Sequence, residues 1–273
     1  MPELPEVEVT KLALEASLKE SVIAKINVRN KNLRWPVDEK KLGALINLET
    51  KGISRRGKYI LLSFEQGTIL LHLGMSGSIG VFNGHSEYHK HDHIELVLNN
   101  KKVIRFNDPR RFGCLVWTSK DPYEHKLIKN LGVEPLEQND LGEYLYQSSR
   151  KRKTPVKNYV MNSNIVVGIG NIYASESLFR SGINPVRACN RISESRYKKL
   201  AKEIKLVLSE AIEMGGTTLR NFTYHNEVKQ VGYFKQNLFV YGRAGLGCKR
   251  CGSDIKDRVI GGRSSFFCRQ CQV

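Results

Sequence analysis

The sequence predicts an α+β protein built from two modest domains and a small appendage. Three observations carry this. Short apolar runs separated by Gly, Asn and basic turns fill about residues 22–117, the pattern of successive strands. Apolar residues recur at helical spacing between Tyr197 and Ala211. Four of the six cysteines fall in the last stretch of the chain, as two CxxC pairs. At 273 residues the chain is long enough for two separate cores.

The chain opens with a helical pattern that runs to about Leu18. Pro5 suits the first turn, and Glu6 and Glu8 favour the positive end of the helix dipole. Apolar runs follow at 22–28, 60–64, 69–73, 79–82, 94–98 and 103–106. Asn99-Asn100, between two of them, reads as a hairpin turn. Strands at this spacing predict a sandwich or barrel. Beyond about residue 120 the pattern turns helical, with a short helix expected over 172–180. A longer one carries Tyr197, Leu200, Ile204, Leu208 and Ala211 on one face and is ended by Gly215-Gly216. A polar, Gly-containing loop over about 217–232 and an extended segment over 233–241 lead to the cysteines. The expected domains are therefore 1–120, 121–232 and 233–273.

Lys and Arg number 44 against 27 Asp and Glu, a formal charge of +17. That excess predicts a polyanionic partner. It is concentrated at 51–58, 101–111 and 150–157 rather than in a tail. Solubility or an acidic membrane surface could use the same charge. No apolar run approaches the ~20 residues of a spanning helix, so no membrane partner is expected. No charged n-region precedes an apolar core at the N-terminus, so the cytoplasm is the expected location.

Cys248-x2-Cys251 and Cys268-x2-Cys271 are separated by sixteen residues, the spacing of a four-thiolate tetrahedral zinc site. The stretch from Ile260 to Phe267 reads as part of a hairpin that returns the second pair to the first. All four ligands are protein sulfurs, so the predicted role of a single Zn2+ is structural. A redox dithiol pair is the alternative. Cys114 and Cys189 are isolated and read as small core or surface thiols.

Pro2-Glu3 carries a chemical possibility. With Met1 removed, Pro2 presents a secondary amine, and a terminal amine of pKa about 8 is partly neutral near pH 7. Such an amine can attack an anomeric carbon and form an iminium. Glu3 could shuttle the protons. With Met1 retained, the Pro2 nitrogen is a tertiary amide and cannot act.

The run Pro2-Glu3-Leu4-Pro5-Glu6-Val7-Glu8 resembles the start of the formamidopyrimidine-DNA glycosylase family, which repairs oxidised purines. The resemblance continues through Arg55-Arg56-Gly57-Lys58-Tyr59, His72-Leu73-Gly74-Met75-Ser76-Gly77, Lys90-His91-Asp92-His93 and Asp108-Pro109-Arg110-Arg111-Phe112-Gly113. It extends through the stretch from Val167 to Ser177, Gly215-Gly216-Thr217-Thr218, Val240-Tyr241-Gly242 and the cysteine module. It implies an N-terminal β-sandwich with flanking helices, a helix–two-turn–helix domain carrying a zinc finger, and duplex DNA held between them by a monomer.

The resemblance also implies roles. Pro2 would be the nucleophile, Glu3 the proton donor in base release, and Glu6 a supporting carboxylate. Lys58 would assist β-elimination. Arg263 would assist δ-elimination and grip a phosphate, which its planar fork suits. Asn171, where Gly168-Ile169-Gly170 runs into a helix, would hold a backbone phosphate at the helix N-terminus, with Lys157 on the same phosphate region. Arg152 and His91 would add backbone contacts. Met75, Arg110 and Phe112 would fill the gap left by an extruded base. His89, His91 and His93 share one face if extended, so a metal site is an alternative there.

Two features bear on lesion choice. The family often has an Asp-Gly pair in the loop after the long helix, where this chain has Asn226-Glu227. The related endonuclease VIII branch, which prefers oxidised pyrimidines, usually begins Pro-Glu-Gly-Pro. Leu4, Val7 and Glu8 favour the purine-repair branch.

Overall fold

The structure is a computed structural model that describes residues 1–19, 21–84, 87–216 and 238–273. The chain divides into two compact units. The described residues of the first are 1–19, 21–84, 87–130 and 215–216, and those of the second are 131–214 with 238–273.

In the first unit, helix α1 (Leu4–Leu18) begins with Glu3 as N-cap and Pro5 in its first turn. Glu3 and Glu6 cap each other, the Glu3 backbone N–H donating to Glu6 Oε2 at 2.8 Å. Eight strands follow: β1 (Ile23–Val28), β2 (Gly52–Arg56), β3 (Tyr59–Phe64), β4 (Gly67–His72), β5 (Ser78–Asn83), β6 (Asp92–Leu98), β7 (Lys102–Asn107) and β8 (Cys114–Thr118). A short helix α2 (Glu39–Gly43) lies between β1 and β2. The strands form two four-stranded antiparallel sheets, β1-β6-β7-β5 and β2-β3-β4-β8.

Ile60, Leu62, Ile69 and Leu71 of one sheet and Ile94, Leu96, Ile104 and Phe106 of the other share a single core with Val7, Leu14 and Leu18 of α1. The expected sandwich is therefore present. The cross-strand pair Leu61 and Leu70 is also buried, which is why β3 and β4 read as continuous apolar runs instead of alternating ones. The hairpin expected at Asn99-Asn100 joins β6 to β7. Its left-handed residue is Lys101, at φ 67°.

The second unit contains α3 (Leu141–Ser149), α4 (Val156–Val160), α5 (Asn171–Ser181) and α6 (Glu194–Glu213). Tyr159, Tyr173, Tyr197, Leu200, Ile204 and Leu208 are fully buried. Two of the Tyr hydroxyls donate to carbonyls, Tyr159 to Leu145 at 2.7 Å and Tyr197 to Cys189 at 2.9 Å. Gly182 ends α5 in the left-handed conformation, and Gly215 and Gly216, both at positive φ, follow α6. The antiparallel hairpin β9 (Ile255–Ile260) and β10 (Arg263–Cys268) turns at Gly261-Gly262. The described part of the segment expected to be extended, 238–241, forms bends and a turn instead. Its backbone amides are taken by a side chain rather than by a neighbouring strand, as shown below.

Candidate functional site

Glu3, Glu6 and Pro2 are buried at the head of α1. Lys58 sits in the tight turn between β2 and β3, beside left-handed Gly57. The Met1 amine feels all of this. Burial lowers its pKa below the usual 8.0, the charges of Glu3 and Glu6 oppose that, and Lys58 and Arg110 add to it. The terminus, two carboxylates, a lysine and an arginine thus share one electrostatic neighbourhood. Gly216 closes on it as well: a Cβ there would stand 3.1 Å from Glu6 Oε1. Arg55 ties the parts together. Its Nε donates to Glu8 at 2.6 Å and its Nη1 to the Gly57 carbonyl at 3.1 Å, joining α1 to the turn that carries Lys58.

His72 lies at the end of β4 in the reach of the Lys58 charge. The Gly74 amide donates to its Nδ1 at 2.9 Å, so Nε2 carries the proton of the neutral ring. Burial, helped by Lys58 and Arg34, pushes its pKa down to about 4. The residue is therefore a neutral hydrogen-bond donor at pH 7.

Met75, Arg110 and Phe112 stand on two loops whose backbones touch. A Cβ on Gly74, at φ +65°, would meet the Phe112 carbonyl carbon at 2.4 Å. Buried Asp108 binds both loops, accepting from the Ser76 hydroxyl at 2.6 Å and the Gly113 amide at 2.7 Å. Met75 and Phe112 remain 42% and 43% exposed. The Arg110 guanidinium covers the Phe112 ring at 4.6 Å. Beside them Asn32, Arg34, Arg110, Arg111 and Phe112 line a hollow of about 590 Å³. His91 is half-buried next to buried His93, whose Nε2 is bonded to the Asp108 carbonyl at 2.8 Å.

In the second unit, Asn171 is the first residue of α5. Its Oδ1 accepts from Lys157 Nζ, and its Nδ2 donates to the Ser264 carbonyl at 2.9 Å. Lys157 is fully buried and also donates to the Ser264 carbonyl at 3.2 Å and to the Ser265 hydroxyl at 2.5 Å. Arg263 is exposed at the tip of the β9–β10 hairpin. Arg152 is exposed just beyond α3, its Nε donating to the Ser148 carbonyl at 3.2 Å.

The sulfurs of Cys248, Cys251, Cys268 and Cys271 all lie within 4.8 Å of one another. Two of the separations are 3.9 Å (Cys248 to Cys271) and 3.5 Å (Cys251 to Cys268). Four thiolates at the usual 2.3 Å from a tetrahedral zinc are about 3.8 Å apart, so the donor set fits that ion. Among the described residues no other group of three or more His, Cys, Asp or Glu side chains is placed to hold a metal.

Residues 1–115 match the formamidopyrimidine-DNA glycosylase N-terminal domain, 131–223 the H2TH domain of the same enzymes, and 245–273 the zinc finger found in FPG and IleRS. The chain is 48% identical over 272 residues to formamidopyrimidine-DNA glycosylase of Nitrosococcus oceani and 47% identical to that of Marinobacter nauticus, covering all of both chains in each case. The chain belongs to the formamidopyrimidine-DNA glycosylase family. The glycosylase also matches the MutM (FPG) protein of Thermus thermophilus, with a TM-score of 0.87 and 31% identity over 99% of this chain and 98% of that one. It matches a Lactococcus lactis FPG mutant bound to Fapy-dG DNA, with a TM-score of 0.90 and 32% identity over 99% of both. It is thus a DNA repair glycosylase with lyase activity, acting on damaged bases, and its four cysteines form a structural zinc site.

Four side chains that organise the glycosylase were not singled out from its sequence: Arg55, His72, Asp108 and Glu176. Glu176, on α5, is fully buried and accepts from the amides of Phe239, Val240 and Tyr241 at 2.8–2.9 Å. These bonds take up the backbone donors of 239–241. All four lie inside the motifs quoted above, but nothing in the string of letters separates a buried clamp from a solvated side chain. Asn226-Glu227 and the loop around it lie outside the described residues. No helix among the described residues is long and apolar enough to cross a membrane.

Proposed function

We propose that the protein excises oxidised purines, 8-oxoguanine and ring-opened formamidopyrimidines, from duplex DNA through a Schiff base at Pro2, and then cuts the strand by β,δ-elimination. One observation carries this reading: the amino terminus lies among Glu3, Glu6, Lys58 and Arg110 in surroundings that lower its pKa. With Met1 removed, the Pro2 amine stands in those surroundings, where burial favours its neutral, nucleophilic form. Its nitrogen bonds to the sugar C1′ as the bond from C1′ to the base breaks. Glu3 supplies the proton that the departing base needs. The nitrogen gives up its proton, its lone pair breaks the C1′–O4′ bond as O4′ takes up a proton, and the resulting iminium makes the C2′ proton acidic. Its loss expels the 3′ phosphate, and a second elimination expels the 5′ phosphate. Lys58 assists the first elimination and Arg263 the second.

Met75, Arg110 and Phe112 enter the stack where the damaged base leaves it. Exposed apolar tips backed by a cation suit that gap. Neutral His72, with Lys58 next to it, donates to a phosphate. His91, Arg152, Asn171 and Arg263 grip the backbone, with Lys157 behind Asn171. The functional modules are 1–120, 121–232 and 233–273, and a cytoplasmic monomer suffices for this chemistry. Leu4, Val7 and Glu8 favour purine lesions. A Lactococcus lactis FPG has been solved with DNA containing an oxidised pyrimidine, so the comparison of lesion classes is the natural test.

That test is incision of matched duplexes carrying 8-oxoguanine, a ring-opened purine or an oxidised pyrimidine. The expected result is faster excision of the two purine lesions, with phosphate left on both sides of a one-nucleoside gap. Preference for the pyrimidine would move the protein to the sister branch, and products ending after one elimination would remove the δ step and Arg263's part in it.

A further inference from the structure

Lys157 is the one residue expected at the DNA backbone that the structure buries completely. An ammonium is almost never so enclosed unless its donors are engaged. Here they reach three elements of the second unit. Lys157 projects from α4, Asn171 opens α5, and Ser264 and Ser265 belong to β10. The next residue of α4, Asn158, braces the same hairpin from its tip. A Cβ on left-handed Gly261 would meet the Asn158 amide group at 2.6 Å. Arg263 follows two residues later.

The ammonium also fixes which way Asn171 faces. A carboxamide has an acceptor end and a donor end of nearly equal shape. With Oδ1 held against Lys157, the Nδ2 end is the one left to donate, to the Ser264 carbonyl and to whatever anion comes to the head of α5. Without the cation, neither the orientation of that amide nor its bond to β10 is enforced.

We propose that Lys157 is a positioning residue that does not touch DNA: it sets the donor face of Asn171 and the seat of the β9–β10 hairpin, and through them the place of Arg263. This rests on the DNA-backbone roles proposed above for Asn171 and Arg263.

Two measurements test it. The first needs no activity. The zinc-loaded protein is reductively methylated with and without a duplex containing a tetrahydrofuran abasic analogue, and the lysines are mapped by mass spectrometry. Lys157 should stay unmodified in both states while exposed Lys151 and Lys153 react. Lys157 modified in the free protein and shielded by DNA would overturn the proposal. The second is a double-mutant cycle on affinity for that duplex, with Lys157→Met, Asn171→Ala and both, in proteins shown to retain zinc. Residues acting as one unit give losses that do not add. Asn171→Ala should weaken binding about tenfold, Lys157→Met by at least that because it also unseats Arg263, and the double variant no more than Lys157→Met alone. Additive losses would assign Lys157 a contact of its own and overturn the proposal. A wild-type protein with no affinity for the duplex would instead sink the proposed function, while the labelling pattern would still decide whether Lys157 is enclosed.

Discussion

The Arg55 guanidinium donates to the Glu8 carboxylate at 2.6 Å and to the Gly57 carbonyl at 3.1 Å, so one side chain locks the helix headed by Glu3 to the turn that carries Lys58. The pair is largely buried, at 6% and 19% side-chain exposure. Removing one partner of such a pair strands the other charge. Arg55→Met should cost stability at the low end of about 3–5 kcal/mol, and Glu8→Gln a comparable amount, since it leaves the Arg55 guanidinium without its counter-charge. Urea unfolding of the two variants checks this, and small losses would contradict it. Burial works to raise the Glu8 pKa, but the Arg55 hydrogen bond and charge, with Lys11, hold it below the usual 4.5. The pair's contribution is therefore present above pH 4.5 and is lost as the pH falls through the lowered value.

Lys58 lowers the pKa of the amino terminus by its charge. Lys58→Met should shift the rising limb of the pH profile for Schiff-base formation to higher pH, because the amine then holds its proton longer. The rate of borohydride trapping on an abasic duplex between pH 5 and 9 reads this directly. A limb shifted to lower pH would contradict the assignment, as would an unmoved one.

His72 makes a stability prediction of opposite origin to that of Glu8. Its folded pKa is depressed to about 4 from 6.5, chiefly by burial. Between those values the unfolded chain binds a proton that the folded protein refuses, so stability should fall as the pH drops from 6.5 to 4. The loss from this residue is up to about 3 kcal/mol. In His72→Gln the fall across that window should be smaller. Identical profiles for the two proteins would contradict the depressed value.

The zinc module has little core apart from Phe179, Val240, Ile255 and two of its own cysteines. Metal binding must supply most of its stability, on the order of 10 kcal/mol or more for a structural site. Chelation, or Cys268→Ser, should unravel the β9–β10 hairpin and abolish DNA binding, since Arg263 and Ser264, the acceptor of Asn171, sit on it. Hydrogen exchange over 255–268 should rise to the level of an unfolded peptide while β3 and β4 stay protected. Protection retained after chelation would mean that the module folds on its own.

The parts legible in the sequence were those with a local signal. Apolar runs marked β3 to β7, helical spacing and a Gly-Gly stop marked α6, and paired CxxC spacing marked the metal. Strand β2, Gly-Ile-Ser-Arg-Arg, was not legible because it is an edge strand with one apolar residue. The short α2 and α4 are too brief to show a period. Residue identity suggested the chemistry of Pro2 and Glu3, and the family resemblance that of Lys58 and a phosphate-side place for Lys157, but neither marked Lys157 or Arg55 as enclosed. Whether a charged side chain is enclosed depends on elements far along the chain, such as β10 for Lys157 and α1 for Arg55. That information is in the fold and not in the neighbouring letters.

The central claim is that the chain's own amino terminus does the chemistry. The most direct test is borohydride reduction of the protein, with Met1 shown to be removed, on a duplex bearing one 8-oxoguanine opposite cytosine, followed by peptide mapping of the adduct. The expected product is a covalent protein–DNA species linked through the Pro2 nitrogen, absent when Met1 is retained. An adduct mapped to Lys58 or another lysine, or none despite tight binding and a free Pro2, would contradict it.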